Sequence, residues 1–230
     1  KCSMLRSWLG AWAKASSTSP VALPAVSWGN LKINVDTLGG SWQQSGALAS
    51  VQGNLIIAST GGTTREFRLN SSTASVVDTI AGDIQITGGI LNVCSGNAST
   101  TVNVGGNFNM SGGTFLGGNT TYLQSINFTG GSSSVTYSQT AGTFTNTYMN
   151  WTIDTGKTVG VNSTNQIVAT SRTFTVNGTL QINQGGYPTG AGTFSYGANG
   201  SLVFNNSSGS YGPIDAGHVY WPSSSGPVNV

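Results

Sequence analysis

His218 is the only histidine of the chain, and it lies three residues after Asp215 in the segment DAGHVYW. A neighbouring carboxylate can orient an imidazole so that it acts as a general base. No nucleophile turn of the Gly-x-Ser-x-Gly type precedes this pair, and no second histidine could share a metal ion with it. The sequence therefore predicts that His218 is a surface or loop residue.

The carboxylates are the other candidates for catalysis, and there are six: Asp36, Glu66, Asp78, Asp83, Asp154 and Asp215. Glycoside hydrolases require two carboxylates about 5–10 Å apart, and a calcium site requires several oxygen ligands together. The repeat described below stacks Asp83 on Asn54 and Asn107, and Asp154 and Lys157 belong to a short predicted turn. We therefore predict no catalytic residue, no metal ion, no cofactor and no enzyme.

Aromatic residues are concentrated near the C-terminal end of the chain. Such side chains can stack on sugar rings, and the candidate ligand-binding residues are Tyr187, Tyr196, Tyr211, Tyr220 and Trp221. The alternative is that these rings close the end of the fold or pack against a following module. We favour the packing interpretation.

The composition excludes several classes of protein. Charged residues make up 6% of the chain, against about 25% in typical domains, and the net charge is +2. Basic residues form no cluster of the kind that binds nucleic acid, and no apolar run reaches the roughly 18–20 residues of a membrane span. Plentiful β-branched and aromatic residues favour ordered strands over disorder. The sequence thus predicts an all-β protein without nucleic-acid binding or membrane insertion.

A short repeat occurs four times along the chain. The copies are VQGNLII (51–57), IAGDIQI (80–86), VGGNFNM (104–110) and VNGTLQI (176–182). Their central glycines recur at related intervals, because the step from the third copy to the fourth equals three times the step from the second to the third. A second element, TGGIL (87–91), SGGTF (111–115) and TAGTF (140–144), follows the same rhythm. A repeat of this kind is typical of solenoids.

The period predicts a right-handed parallel β-helix, or solenoid, with coils of about 24–29 residues. Alternation within each copy describes a strand with one buried face, and glycines permit the corners between strands. Such a coil accommodates three short strands. Where the pattern loosens, we predict strands at 121–128, 133–138, 143–145, 149–153 and 158–161.

The two ends of the chain differ from the repeats. We divide the chain into an N-terminal cap or irregular coil (1–27), solenoid repeats (28–185) and a terminal coil or junction to a following module (186–230). The last segment contains four of the six prolines, which interrupt strand pairing. Cys2 and Cys94 would lie nearly four coils, roughly 18 Å, apart, so a disulfide would require the N-terminal segment to fold back.

Three longer stretches carry a resemblance to a known group of proteins: GNFNMSGGTFLGGNTT, INFTGGSSSVTYSQTAGTFTNTYMNWTID and SLVFNNSSGSYGPIDAGHVYWPSSSGPVNV. They resemble the repeat-rich exported surface proteins of Bacteroidota, which are adhesin-like β-solenoids and type IX secretion substrates. The resemblance covers most of residues 28–230 and rests on rhythm and composition. It implies an extracellular or cell-surface location, the type IX secretion machinery as a partner, and an adhesive or structural role.

The same resemblance directs attention to two tripeptides. Asp36-Thr37-Leu38 and Asp78-Thr79-Ile80 match the Asp-(Ser/Thr)-aliphatic signal that these bacteria use for O-glycosylation of exported proteins. It implies Thr37 and Thr79 as glycosylation sites. The alternative is that the tripeptides arise by chance in a threonine-rich chain.

The leading hypothesis is a non-catalytic structural or adhesive segment of a large exported protein, with neighbouring modules or copies of itself as partners. The alternative is a β-helix module that binds glycans or, less favoured, cleaves polysaccharides. An ice-binding face is a third possibility, because some flat solenoids display threonine ladders. The stretch TFTVNGT has the required alternation, but no Thr-x-Thr row recurs at the period of the repeat.

Overall fold

The computed structural model describes residues 5–7, 10–13, 16–17, 22–24, 26–44, 48, 50–117, 121–145, 149–162, 165–168, 172–206 and 218–230. Within these ranges the regular structure consists of β-strands, which confirms the predicted all-β class. The strands are β1 (Leu5–Ser7), β2 (Gly10–Ala13), β3 (Ser16–Ser17), β4 (Ser27–Trp28), β5 (Leu31–Val35), β6 (Thr37–Leu38), β7 (Trp42–Gln43), β8 (Ser50–Val51), β9 (Leu55–Thr60), β10 (Phe67–Asn70), β11 (Val76–Ile80), β12 (Ile84–Ile86), β13 (Ile90–Cys94), β14 (Thr100–Val104), β15 (Phe108–Leu116), β16 (Gln124–Phe128), β17 (Ser134–Thr145), β18 (Met149–Ile153), β19 (Thr158–Val161), β20 (Asn165–Val168), β21 (Thr173–Val176), β22 (Thr179–Asn183), β23 (Pro188–Gly190), β24 (Thr193–Tyr196) and β25 (Ser201–Asn205).

The strands wind into a solenoid of about seven turns, which confirms the predicted parallel β-helix. One turn contains β11, β12 and β13, which have five, three and five residues, and β14 then lies beside β11. Among the described strands, all pairings are parallel except the β1–β2 hairpin. This turn consists of three short strands joined by corners, as predicted.

Two large sheets form the walls of the solenoid. The eight-stranded sheet has the order β4-β8-β11-β14-β16-β18-β21-β24. The thirteen-stranded sheet wraps around a corner, because the long strand β15 pairs through its first half with β12 and through its second half with β13. Two small pairs, β3–β6 and β20–β23, complete the walls.

The strands predicted between 121 and 161 are confirmed, with one difference. β16, β18 and β19 lie within the predicted ranges, whereas the strands expected at 133–138 and 143–145 form the single strand β17. β17 is continuous because it follows β15 around the corner and pairs with it along both halves.

Successive members of one column of inward-facing residues lie one turn apart, so the intervals between them give the turn lengths. The members of this column, joined by in-register pairs of the eight-stranded sheet, are Trp28, Val51, Ile80, Val104, Phe128, Ile153, Val176 and Tyr196. The intervals between successive members are unequal: the longest runs from Val51 to Ile80 and the shortest from Val176 to Tyr196. Val104 and Val176 therefore share a column, as the repeat predicts, although the three intervening turns differ in length.

In the thirteen-stranded sheet the fourth repeat copy is displaced by two positions. The alignment places Leu180 on Phe108, but the pairing runs from Phe108 through Tyr137 and Val161 to Ile182. The corners that precede these strands differ in length, so a register that holds in one sheet shifts in the other.

Aliphatic and aromatic side chains fill the interior, as the alternating pattern predicts. β14, β16 and β18 each alternate buried and half-buried residues along their length. Behind the eight-stranded sheet, the rings of Trp151, Phe174 and Phe194 stack with interplanar angles of 8° and 9°. Stacked rings of this kind stabilise the pairing along the solenoid axis.

Glycines serve the corners in two different ways. Gly89, Gly113 and Gly142, in the second repeat element, have φ angles of 65°, 67° and 89°, which side chains disfavour. The central glycines are instead required by close approach: a Cβ on Gly106 would lie 2.5 Å from the carbonyl carbon of Gly82. Both sets therefore mark corners where successive turns touch.

The described parts of the N-terminal segment join the same walls. β2 pairs in parallel with β5, and β1 folds back on β2. At the other end, β24 and β25 continue the parallel pairing beyond residue 186. Cys94 is a buried free thiol that donates to the carbonyl oxygen of Ala98 at 3.3 Å. Cys2 lies outside the described residues.

Candidate functional site

A polar ladder runs along one corner of the solenoid, just before the strands of the thirteen-stranded sheet. Oδ1 of Asn54 accepts the backbone N–H of Asp83 at 2.8 Å, and Oδ1 of Asp83 accepts that of Asn107 at 2.7 Å. Asn30 and Thr136 extend the ladder by one turn in each direction. The predicted stacking of Asp83 on Asn54 and Asn107 is thus confirmed, and Asp83 has a structural hydrogen-bonding role.

Lys157 connects three successive turns further along the same corner. Its Nζ donates to the carbonyl oxygens of Gly105 at 2.7 Å, Gly130 at 2.6 Å and Ser132 at 2.5 Å. The side chain is 4% exposed; burial lowers the pKa of Lys157, and the charge of Asp154 opposes that shift. The predicted 154–157 turn is present, with Lys157 N–H donating to the Asp154 carbonyl, but the ammonium acts well beyond that turn.

The turn at 154–157 and the corner at 129–133 line an open pocket of about 480 Å³. Lys157 and Asp154 are its charged lining residues. Because three backbone carbonyls occupy the donors of the Lys157 ammonium, this cation holds the corner together instead of facing a ligand. Among the charged lining residues, Lys157 therefore has a structural role, and the remaining polar side chains of the lining include Asp154, Ser133 and Asn177.

The predicted aromatic residues gather at the C-terminal end of the solenoid. Tyr196 and Tyr220 are core residues, 7% and 5% exposed, and the Tyr196 hydroxyl donates to the Tyr220 carbonyl at 2.6 Å. Trp221 is half-buried and packs on Phe204, with ring centroids 6.1 Å apart. Tyr187 is 42% exposed, with its ring centroid 6.5 Å from that of Tyr220. The fifth predicted residue, Tyr211, lies outside the described residues.

His218 belongs to this aromatic group. Its imidazole stacks on the Tyr220 ring at 5.2 Å between centroids, with an interplanar angle of 5°. Asp215, which the sequence places beside it, lies outside the described residues. Stacking on a core tyrosine gives His218 a packing role.

Asp78 points into the solenoid from the eight-stranded sheet. Oδ1 accepts the Leu48 backbone N–H at 2.6 Å, whereas Oδ2 is buried without a hydrogen-bond partner among the described residues. Burial raises the pKa of this carboxyl to about 6, and the Leu48 hydrogen bond opposes the shift. The alternation of inward and outward residues along a strand predicts that Asp78 points inward, because Asp78 is two residues before the buried Ile80.

The two predicted glycosylation tripeptides have different surroundings. Thr37 and Thr79 are both exposed. Asp78 and Ile80, which flank Thr79, are buried in the middle of a sheet, whereas Asp36 beside Thr37 is exposed. An enzyme that reads the acidic residue of the signal can therefore reach it at Thr37 but not at Thr79 in the folded chain.

The outer side of the eight-stranded sheet carries two straight rows of short side chains, which we call the flat face. The first row is Ser27, Ser50, Thr79, Asn103, Asn127, Thr152, Thr175 and Ser195, and the second is Val77, Thr101, Ser125, Asn150, Thr173 and Thr193. Sequence reasoning missed these rows because the turns differ in length.

The described ranges contain no group of three or more His, Cys, Asp or Glu residues placed to hold a metal ion. None of the described residues forms a helix long and apolar enough to cross a membrane. Comparison with known proteins found no matching family model, no matching curated protein and no matching solved structure.

Proposed function

We propose that this chain is a non-catalytic structural or adhesive segment of a large exported protein, held at the cell surface or in the extracellular medium. The observation that carries the proposal is the continuity of the solenoid along its axis. Strand pairing in the eight-stranded sheet connects every turn to the next, and the polar ladder adds further links between neighbouring turns. A wall built in this way keeps its surface at a constant geometry over many turns.

The distribution of charge supports a structural role over catalysis. Three of the described carboxylates each have a separate structural partner. Asp83 accepts a hydrogen bond in the ladder, Asp78 accepts one in the interior, and Glu66 forms a 2.6 Å ion pair with Arg68. Asn92 also donates to Glu66 at 3.0 Å. Each of these three carboxylates thus has its own hydrogen-bond or ion-pair partner, whereas acid–base cleavage of a sugar requires two carboxylates that act together.

Location provides the first test. Antibodies raised against purified 1–230 should label intact cells of the source organism or detect the protein in culture medium, with a cytoplasmic enzyme as the control. Labelling that appears only after lysis would contradict export. Mass spectrometry of the native protein should find any O-glycan at Thr37 and none at Thr79.

The competing function is carbohydrate binding at the C-terminal end, with glycans as ligands. Tyr187 supports it, because an exposed ring beside a rigid aromatic group can stack on a sugar. A glycan array should show saturable binding that a Tyr187→Ala variant loses and an exposed Tyr122→Ala variant keeps. Absence of binding by the unaltered protein would leave the structural proposal as the better one.

A further inference from the structure

The flat face is a two-dimensional lattice of side chains. In-register pairs join the members of the first row, and those of the second row except Asn150 and Thr173, which are joined by a hydrogen bond from the Thr173 N–H to Oδ1 of Asn150. The pairings within the eight-stranded sheet contain no register shift. Adjacent strands lie about 4.8 Å apart, and alternate positions along a strand are about 6.6 Å apart. The fourteen positions therefore repeat with fixed spacings in both directions.

Rigid packing behind the sheet keeps this lattice in place. The stacked rings of Trp151, Phe174 and Phe194 lie directly beneath the rows, and the alternating residues of β14 and β16 are buried in the same way. Stacked rings and side-chain hydrogen bonds between strands both oppose the twist of a sheet. The rings lie on the inner side, and on the outer side Nδ2 of Asn127 donates to Oδ1 of Asn103.

The chemistry of the rows narrows the choice of partner. Thirteen of the fourteen residues are Ser, Thr or Asn and one is Val, so the flat face carries no charge and no aromatic ring. An ionic partner would need charges, and sugar rings are usually bound by aromatic stacking. Short side chains, many of them β-branched, also lose little rotamer freedom when they bind.

A partner suited to this surface must itself repeat in two dimensions and exchange hydrogen bonds with hydroxyl and amide groups. The surface of ice has both properties, because its water molecules form a regular lattice of hydrogen-bond donors and acceptors. Threonine methyl groups fill the spaces between bound waters, and the hydroxyls anchor them.

We propose that the flat face binds ice. The inference rests on the proposed structural role, because only a rigid sheet holds the rows in register. No Thr-x-Thr row recurs at one constant period in the sequence, because the turns are unequal in length. Thr173 and Thr175 are followed in space by Thr193 and Ser195, across the shortest turn of the column.

The test measures uptake of purified 1–230 into slowly grown ice, together with thermal hysteresis in a nanolitre osmometer. We expect enrichment in ice and a measurable hysteresis gap. Thr152→Lys and Thr101→Lys, on the flat face, should lose both. Thr143→Lys, the same change at an exposed position of the thirteen-stranded sheet, should keep both.

The possible results distinguish a failure of the ice-binding proposal from a failure of the structural role. Unfolding midpoints and circular dichroism should match among the three variants, so that a loss of ice binding reports on the surface and not on folding. Exclusion of the unaltered protein from ice would overturn the proposal and leave the solenoid scaffold unaffected. Equal loss in all three variants, or binding to crystalline cellulose in place of ice, would also overturn it.

Discussion

The eight-stranded and thirteen-stranded sheets belong to the same turns but tolerate irregularity very differently. The eight-stranded sheet continues from β4 to β24 without a register shift. In the thirteen-stranded sheet, register shifts occur between β15 and β17 and between β5 and β9. Variation in turn length is therefore concentrated on one side of the solenoid, and the other side remains a regular surface.

The physical reason lies in the corners. Extra residues are accommodated where Gly130, Gly131 and Gly156 adopt positive φ angles, between the two sheets. Lys157 and the polar ladder satisfy the backbone groups exposed there. A residue inserted within the eight-stranded sheet would instead reverse the inward and outward sides of the remaining strand.

The largest expected effect is on the packing behind the flat face. Trp151→Ala removes a side chain that is fully buried among stacked rings, and should lower the free energy of unfolding by about 3–5 kcal/mol. Phe144→Ala removes a half-buried ring of the thirteen-stranded sheet that packs on Phe115 and on Trp151, and should cost less because part of that ring stays exposed. Urea unfolding measures both, and equal losses would contradict the greater contribution of the fully buried ring.

Replacement of Lys157 tests the corner. Lys157→Met keeps the length of the side chain but leaves the carbonyl oxygens of Gly105, Gly130 and Ser132 without their shared donor. Loss of charged hydrogen bonds should lower the free energy of unfolding by about 3 kcal/mol. Hydrogen exchange should rise first around 129–133. Lys32→Met, at a half-buried position on an outer wall, should cost less than about 1 kcal/mol. If Lys32→Met lowered the free energy of unfolding as much as Lys157→Met, the three carbonyl contacts of Lys157 would not be the cause of the loss.

The buried carboxyl of Asp78 makes the eight-stranded sheet sensitive to pH. Its pKa is raised to about 6 in the folded chain, against about 3.9 when unfolded, so the folded state binds the proton more tightly. This stabilisation is full below about pH 4 and is lost as the pH rises to about 6. The loss amounts to about 3 kcal/mol at most.

Asp78→Asn removes that titration and offers an amide donor in place of Oδ2, which has no hydrogen-bond partner within the described ranges. The variant should therefore exceed the unaltered protein in unfolding free energy at about pH 7 and match it more closely at about pH 4. Thermal unfolding across this range makes the measurement. Identical pH slopes for the two proteins would show that Asp78 is not the group responsible.

The smallest expected effect concerns the ladder between the sheets. Asp83→Ala removes the acceptor for the Asn107 N–H and should cost about 1 kcal/mol. Asp83→Asn retains Oδ1 and should be close to neutral. Denaturant titration distinguishes them, and an equal cost for both would mean that the charge of Asp83, instead of its acceptor oxygen, matters.

Much of this architecture could be predicted from local patterns. The glycine-marked repeat predicts the parallel coil, and alternation predicts which residues of β16 and β18 are buried. The stacking of Asp83 on its neighbours follows from the same alignment. These features depend on residues a few positions apart or on the nearly constant interval between adjacent repeats.

Other features depend on which turn lies beside which. Lys157 reaches the carbonyl groups of turns well before it in the chain, and nothing in TIDTGKT reveals that they converge. The rows of the flat face are likewise hidden in the sequence, because turns of unequal length place their members at unequal intervals.

The amino-acid sequence alone determined the fold class, the coil and the inward and outward alternation, because short-range periodicity dictates which side of a strand is buried. The tertiary structure decided which outward residues align into rows and which corners share a cation. Those outcomes depend on corner lengths, which the backbone accommodates through glycine conformations and long-range hydrogen bonds instead of through any repeated motif.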